Sequence, residues 1–320
     1  MENSGLKLST TRLASPTNSS AEERHSEQAR HRIKRLVLGL AAMTFALMVV
    51  GGLTRVMGAG LSCPDWPLCY GALVPHMDQY IFLEWFHRVI ATGVGLGTVV
   101  LCALCWWSRR ELPQWLVGLA GVALVLVLVQ GALGALTVTE YLRFDIVTAH
   151  LGTAMLFFAT LLVMAAALTA SPAALGPVGM LPWVALAATL ICYTQIVLGG
   201  LVASQWAVHQ CLEGSLLCDV MNNHLIGVGP TVAAVLLVVW TAWRRGLSGI
   251  LKRISWLTGG FLVIQVALGV ATFVLKLSVP LVTVAHLAVG AALLGTLVVL
   301  TVLSWRDRQF DRAAHLQQGN

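Results

Sequence analysis

Eight apolar stretches, each long enough to cross a bilayer, run along this chain of 320 residues. A hydrocarbon core about 30 Å thick takes about 20 residues of helix. Spanning helices are therefore expected over 36–54, 84–106, 115–138, 146–168, 181–203, 222–243, 254–276 and 281–303. Of all residues 58% are hydrophobic and 11% charged, against about 25% charged in soluble domains. The apolar surplus must face lipid. The runs are continuous rather than alternating, which excludes a membrane β-barrel. The expected fold class is all-α integral membrane, with eight transmembrane helices.

Charge sets the expected orientation. Sixteen of the twenty Lys and Arg fall at 7–35, 109–110, 244–253 and 306–312, on one side if eight spans alternate. Only Arg55, Arg88, Arg143 and Lys276 fall on the other side. The positive-inside rule then places both termini in the cytoplasm, as in a bacterial inner membrane. The net charge of +6 is spread over short loops, which argues against nucleic-acid binding. Residues 1–35 are polar and lack the apolar core of a signal peptide. Glu22, Glu23 and Glu27 count against a mitochondrial transit peptide. A disordered cytoplasmic tail is expected over 1–35, a cytoplasmic linker over 169–180 and a cytoplasmic tail over 304–320.

The second half repeats the first. Gln130-Gly-Ala-Leu-Gly134 matches Gln265-Val-Ala-Leu-Gly269, and each precedes an Ala-His pair, Ala149-His150 and Ala285-His286. Gly51-Gly52-Leu53 and Gly199-Gly200-Leu201 end the first and fifth spans. Each is followed by a loop with two cysteines and then by a helix with an early histidine, His87 or His224. Residues 36–168 and 181–303 are therefore expected as two similar four-helix bundles. An even number of spans per half puts the pseudo-twofold axis along the membrane normal.

His87, His150, His224 and His286 share a depth near the outer face. An ionisable group inside a membrane is costly and marks function by default. Imidazole is a common heme ligand, so His87 with His150, and His224 with His286, are expected to ligate two hemes. Arg55 and Arg88 are candidate propionate partners, since Arg pairs carboxylates bidentately. The halves differ at Glu84-Trp-Phe-His87-Arg88, where the second half has Met221 and Leu225. Glu84 lies one turn before His87, so it is the candidate base or charge stabiliser. The first half is thus the expected site of chemistry, the second that of a retained cofactor. Cys63 with Cys69, and Cys211 with Cys218, lie on the oxidising side, where disulfides persist. Cys102, Cys105 and Cys192 read as packing residues.

Taken together, Gly51-Gly52-Leu53-Thr54-Arg55, Cys63-Pro-Asp-Trp-Pro-Leu-Cys69, Glu84-Trp-Phe-His87-Arg88, Thr148-Ala149-His150 and Thr283-Val284-Ala285-His286 resemble the heme A synthase family. The resemblance implies an oxidoreductase that converts the C8 methyl of heme O to the formyl of heme A, by successive hydroxylation and loss of water. It implies a substrate heme O site at His87 and His150, heme b at His224 and His286, and a catalytic Glu84. It also implies cysteine pairs at Cys63/Cys69 and Cys211/Cys218. Heme O synthase, cytochrome oxidase assembly factors and a second copy of the chain are the expected partners. Competing readings are a bis-His cytochrome b, a heme or ion transporter, and a quinone-linked thiol oxidoreductase.

Overall fold

The structure, a computed structural model, describes residues 16–169, 178–204, 216–247 and 249–318, and their side chains over 26–169, 178–204, 218–247 and 249–309. Its helices are α1 (Pro16–Val56), α2 (Gln79–Trp107), α3 (Gln114–Thr139), α4 (Phe144–Ala167), α5 (Leu181–Ser204), α6 (Leu216–Arg244), α7 (Gly249–Val274) and α8 (Pro280–Gln318). Eight are long and apolar enough to span a membrane among the described residues. Each expected span is present, and most helices overrun it, whereas α4 and α7 end at Ala167 and Val274, just short of the expected 168 and 276. A backbone ladder already started continues one bond per residue, so polarity alone does not stop it. Stops and starts come from specific groups. At α2 the Asp78 side chain accepts from the backbone N–H of Tyr80 and Ile81 and caps the first turn.

The expected tails differ most. The described part of the N-terminal segment is helical from Pro16, and α8 runs to Gln318. Nothing in 26–35 breaks a helix, and Ile33, Val37 and Leu40 are 1, 0 and 3% exposed. Their spacing makes one helical stripe, so the polar end of α1 is packed rather than disordered. At α8, Asp307 is buried, and Arg306 Nη1 donates to Thr169 O at 2.9 Å, tying α8 to the end of α4. Most of the expected linker, 170–177, lies outside the described residues.

Helices α1–α4 pack as neighbours in sequence, with α1 closing on α4, and α5–α8 do the same with α5 closing on α8. The seam between the groups is made by α1 on α8, α4 on α5, and α4 on α8. The fully buried large side chains gather there: Met155, Leu161 and Met164 of α4, and Leu293, Leu294, Leu297 and Leu300 of α8. At its outer end the seam is pinched at two glycines. A methyl on Gly52 would lie 2.6 Å from Leu287 Cδ2, and one on Gly200 2.6 Å from Leu151 Cδ2. Small residues let helices approach closely where lipid supplies no hydrophobic drive. Leu287 and Leu151 each follow a site histidine, so the pinch sets their depth relative to the other group.

Truncating Ile33 to Ala is expected to cost about 2–5 kcal/mol, read as a lower midpoint of thermal unfolding in detergent. An unchanged midpoint would mean that the extension of α1 is not packed.

Candidate functional site

Each even-numbered helix delivers one histidine: His87 from α2, His150 from α4, His224 from α6 and His286 from α8. Each ring lies flat against a glycine of the helix before it. A methyl on Gly51, Gly134, Gly199 or Gly269 would come 2.7, 3.3, 2.9 or 3.0 Å from Cε1 of His87, His150, His224 or His286 respectively. Each ring also faces the backbone of the residue one turn ahead of that glycine: Leu47, Gln130, Gln195 or Gln265. The buried Nδ1 atoms of His87, His150 and His286 stop short of a closed hydrogen bond there. So one feature, a backbone carbonyl and then a glycine one turn on, lies beside all four rings.

Within each helix group the two rings feel each other electrostatically, His87 with His150 and His224 with His286. Three glutamines share this space. Gln130 Nε2 is 3.3 Å from His150 Nε2, and Gln265 Nε2 is 3.5 Å from His286 Nε2. Gln195 Nε2 donates to His224 O at 2.7 Å and lies 3.1 Å from its Nδ1. Gln130 Oε1 and Gln265 Oε1 are buried without a partner, as are the hydroxyls of Thr272 and Thr283. Unpaired buried polar atoms are rare in finished interiors and belong to sites that receive a polar group.

Glu84 is 4% exposed, and both its oxygens are engaged. Oε2 accepts from Cys63 N at 2.8 Å, and Oε1 accepts from Arg88 Nη2 at 2.6 Å. Arg88, expected at a propionate, is committed elsewhere. Its Nη1 donates to Asp65 O and Leu68 O at 2.7 and 2.6 Å, and its Nη2 also reaches Cys63 O at 3.2 Å. The loop from α1 to α2 is thereby folded down onto α2. The Cys63–Cys69 disulfide closes it, with Cα atoms 4.8 Å apart. Asp65 accepts from Tyr70 N and Gly71 N at 2.6 and 2.8 Å. These amides, the Gly71 bond foremost, hold its carboxyl below the usual range, assisted by Arg88.

Arg55 sits in the last turn of α1 and donates to Ser204 O of α5 at 3.2 Å, bridging the two helix groups. Ser204 in turn meets Thr148 of α4 at 3.1 Å between hydroxyls. Cys218 is disulfide-bonded; Cys211 lies outside the described residues. Cys102, Cys105 and Cys192 are free thiols. Sequence reasoning used Gln130 and Gln265 as markers of the repeat and passed over Gln195. The signal was present: a glutamine precedes a glycine by four residues at 130, 195 and 265. Nothing local in sequence marked Ser204 or the carbonyls held by Arg88.

Residues 34–298 match the family COX15-CtaA, described as cytochrome oxidase assembly protein. A heme A synthase of Shewanella oneidensis is 31% identical, across 82% of this chain and 94% of its own length. Those of Methylobacterium sp. and Rhodospirillum centenum are each 28% identical across 87% of this chain, and 93% and 89% of their own lengths.

Arg88→Leu, which copies Leu225, would strip Glu84 and three loop carbonyls of a shared donor. Breaking a buried pair from one side costs about 3–5 kcal/mol. The expected result is loss of amide-exchange protection at Cys63, with a lower unfolding midpoint. Asp65 gives a pH test. Its folded pKa is depressed, so its contribution is complete above the unfolded value, about 3.9, and disappears as pH falls through the folded one. Asp65→Asn should loosen the Tyr70–Gly71 turn at neutral pH as acid does in the parent. A turn equally protected in the variant would remove Asp65 as its anchor.

Proposed function

Because the chain belongs to the COX15-CtaA family of cytochrome oxidase assembly proteins, we propose that it is a heme A synthase, a multi-pass membrane oxidoreductase that converts heme O to heme A. The observation that carries the site assignment is the recurrence of two glycine-seated histidines in each helix group, only one group having a buried acid one turn from its histidine.

The residues present fit heme. Each group supplies two imidazoles, and the Nε2 atoms of His150 and His286, now 3.3 and 3.5 Å from the amides of Gln130 and Gln265, would give up that contact to iron. The glycine beside each ring leaves little room for a methyl. We assign His224 and His286 to heme b, and His87 and His150 to heme O and its product heme A. Heme b, when bound, supplies one-electron redox chemistry at its iron. The chain's own part is to bind, orient and move protons. His87 and His150 fix the substrate ring in the outer part of the bilayer. Arg55 supplies a cation for a propionate. Glu84 takes up a proton released as the C8 methyl is oxidised, or stabilises positive charge at that carbon. Arg88 and the backbone N–H of Cys63 keep Glu84 in place.

A pseudo-twofold axis along the membrane normal accounts for the packing. Exchanging α1–α4 with α5–α8 turns the α1–α8 contact into the α5–α4 contact and leaves α4–α8 unchanged. It also exchanges Gly52 against Leu287 with Gly200 against Leu151. The distribution of Lys and Arg supports cytoplasmic termini in a bacterial inner membrane. Cys218 is then paired with Cys211 on the outer side. Heme O synthase and cytochrome oxidase assembly factors are the partners the pathway chemistry calls for.

Extracting the pigments of the purified protein tests the assignment. Heme b together with heme O or heme A is expected; heme b alone would favour an electron-transfer cytochrome. Glu84→Ala should retain both hemes while formation of the formyl product falls about 10²–10⁴-fold. Full activity in that variant would remove Glu84 from the mechanism. Gly199→Ala pushes a methyl against His224 and should deplete heme b, whereas Gly51→Ala should spare heme b and deplete the substrate heme. The reverse pattern would exchange the two sites.

A further inference from the structure

The loop between α1 and α2 carries an apolar tip that the assigned chemistry does not use. Leu73, Val74, Tyr70 and Trp66 are 81, 69, 62 and 50% exposed. We propose that this tip is seated in the adjoining leaflet of the bilayer, at the boundary between headgroups and acyl chains. The inference uses only the multi-pass character of the chain and stands apart from the heme assignment.

Charge is the first argument. Residues 57–78 carry only two acidic side chains, Asp65 and Asp78, and no Lys or Arg. Both carboxylates are occupied by local backbone amides: Asp65 accepts from Tyr70 N and Gly71 N, and Asp78 from Tyr80 N and Ile81 N. Backbone satisfaction is the second. Cys69 N donates to Ala72 O at 3.2 Å and Ala72 N to Cys69 O at 3.1 Å. The turn thus closes hydrogen bonds of its own, which a segment touching lipid requires.

Depth is the third argument. Trp85 Nε1 donates to Leu73 O at 2.7 Å. Trp85 is six residues past Gln79, the first residue of α2, or about 9 Å along a helix at 1.5 Å per residue. The tip therefore lies beside α2, not beyond its end. Helix α2 has 29 residues, about 43 Å in length against a hydrocarbon core of about 30 Å. Its outer turns, and the tip beside them, fall in the headgroup region that Trp and Tyr favour.

Continuity selects the occupant. The Phe82 ring lies 6.3 Å from Trp85 and 5.5 Å from Phe86. Phe82, Phe86, Val89 and Leu96 are 45, 37, 46 and 64% exposed. The apolar surface thus passes from the loop through Trp85 and Phe82 onto the exposed side of a spanning helix, which lipid covers. The same loop supplies Cys63 N to Glu84, so lipid seating would press this cradle against α2.

Site-directed spin labelling tests this in liposomes of phosphatidylethanolamine and phosphatidylglycerol. Single labels at Leu73→Cys and, separately, Val74→Cys are placed in a Cys102→Ala, Cys105→Ala, Cys192→Ala background. References are Leu96→Cys on α2 and Glu140→Cys in the α3–α4 turn. At both loop positions, oxygen should relax the label several-fold more than a water-soluble nickel chelate does, as at Leu96→Cys. Chelate access matching Glu140→Cys would place the tip in water and overturn the proposal. Exclusion of both reagents would overturn it too, by showing a protein surface, a partner or a second copy, over the tip. The two labels are independent, so failure of one variant to fold leaves the other reading.

Discussion

A histidine ring pressed on the bare Cα of a glycine is the contact on which this molecule turns, and it occurs four times. At Gly51 and Gly199 the ring of the next helix comes closer than a side chain would permit, and at Gly134 and Gly269 it is nearly as close. The contact does two things together. It brings adjacent helices near enough for dispersion to hold them where water offers no drive. It also sets each ring beside the backbone one turn earlier in the neighbouring helix. Each odd-numbered helix therefore serves as a rest for the histidine of its successor.

The two helix groups use this plan for different ends because of a few substitutions. The first carries Glu84 and Arg88 where the second carries Met221 and Leu225. In exchange, the second has Gln195 at the turn where the first has Leu47. Gln195 bonds the backbone of His224. Leu47 has no side-chain donor for such a tie, and the buried polar group of the first half is Glu84, held from the loop.

Arg88 illustrates how a buried charge is accommodated. A guanidinium at 15% side-chain exposure must fill its donors. It does so with Glu84 and three carbonyls of a loop that a disulfide has already closed. The ion pair, the loop and the disulfide therefore stand or fall as a unit. The seam of α1, α4, α5 and α8 plays the matching role for the helices, with Arg55 and Ser204 joining the two groups at the outer end.

The sequence by itself determined the spans and their number, and it singled out the four histidines and Glu84 as candidates. These follow from hydrophobic run length and from residues too costly to bury without use, both of which are local properties. It misplaced the ends of α1 and α8, because a helix stops where packing or capping stops it. Ile33 is held by neighbours that no hydropathy window sees. Only the tertiary structure decided what Arg88 does, since a guanidinium one residue after a ligand histidine suits a propionate as well as a carbonyl. The choice was made by Asp65, Leu68 and Cys63, twenty or more residues away along the chain, folded back over α2 by a disulfide. The pairing of Gly52 with Leu287 and of Gly200 with Leu151 was likewise settled across the seam, where close approach is a property of two surfaces rather than of either segment.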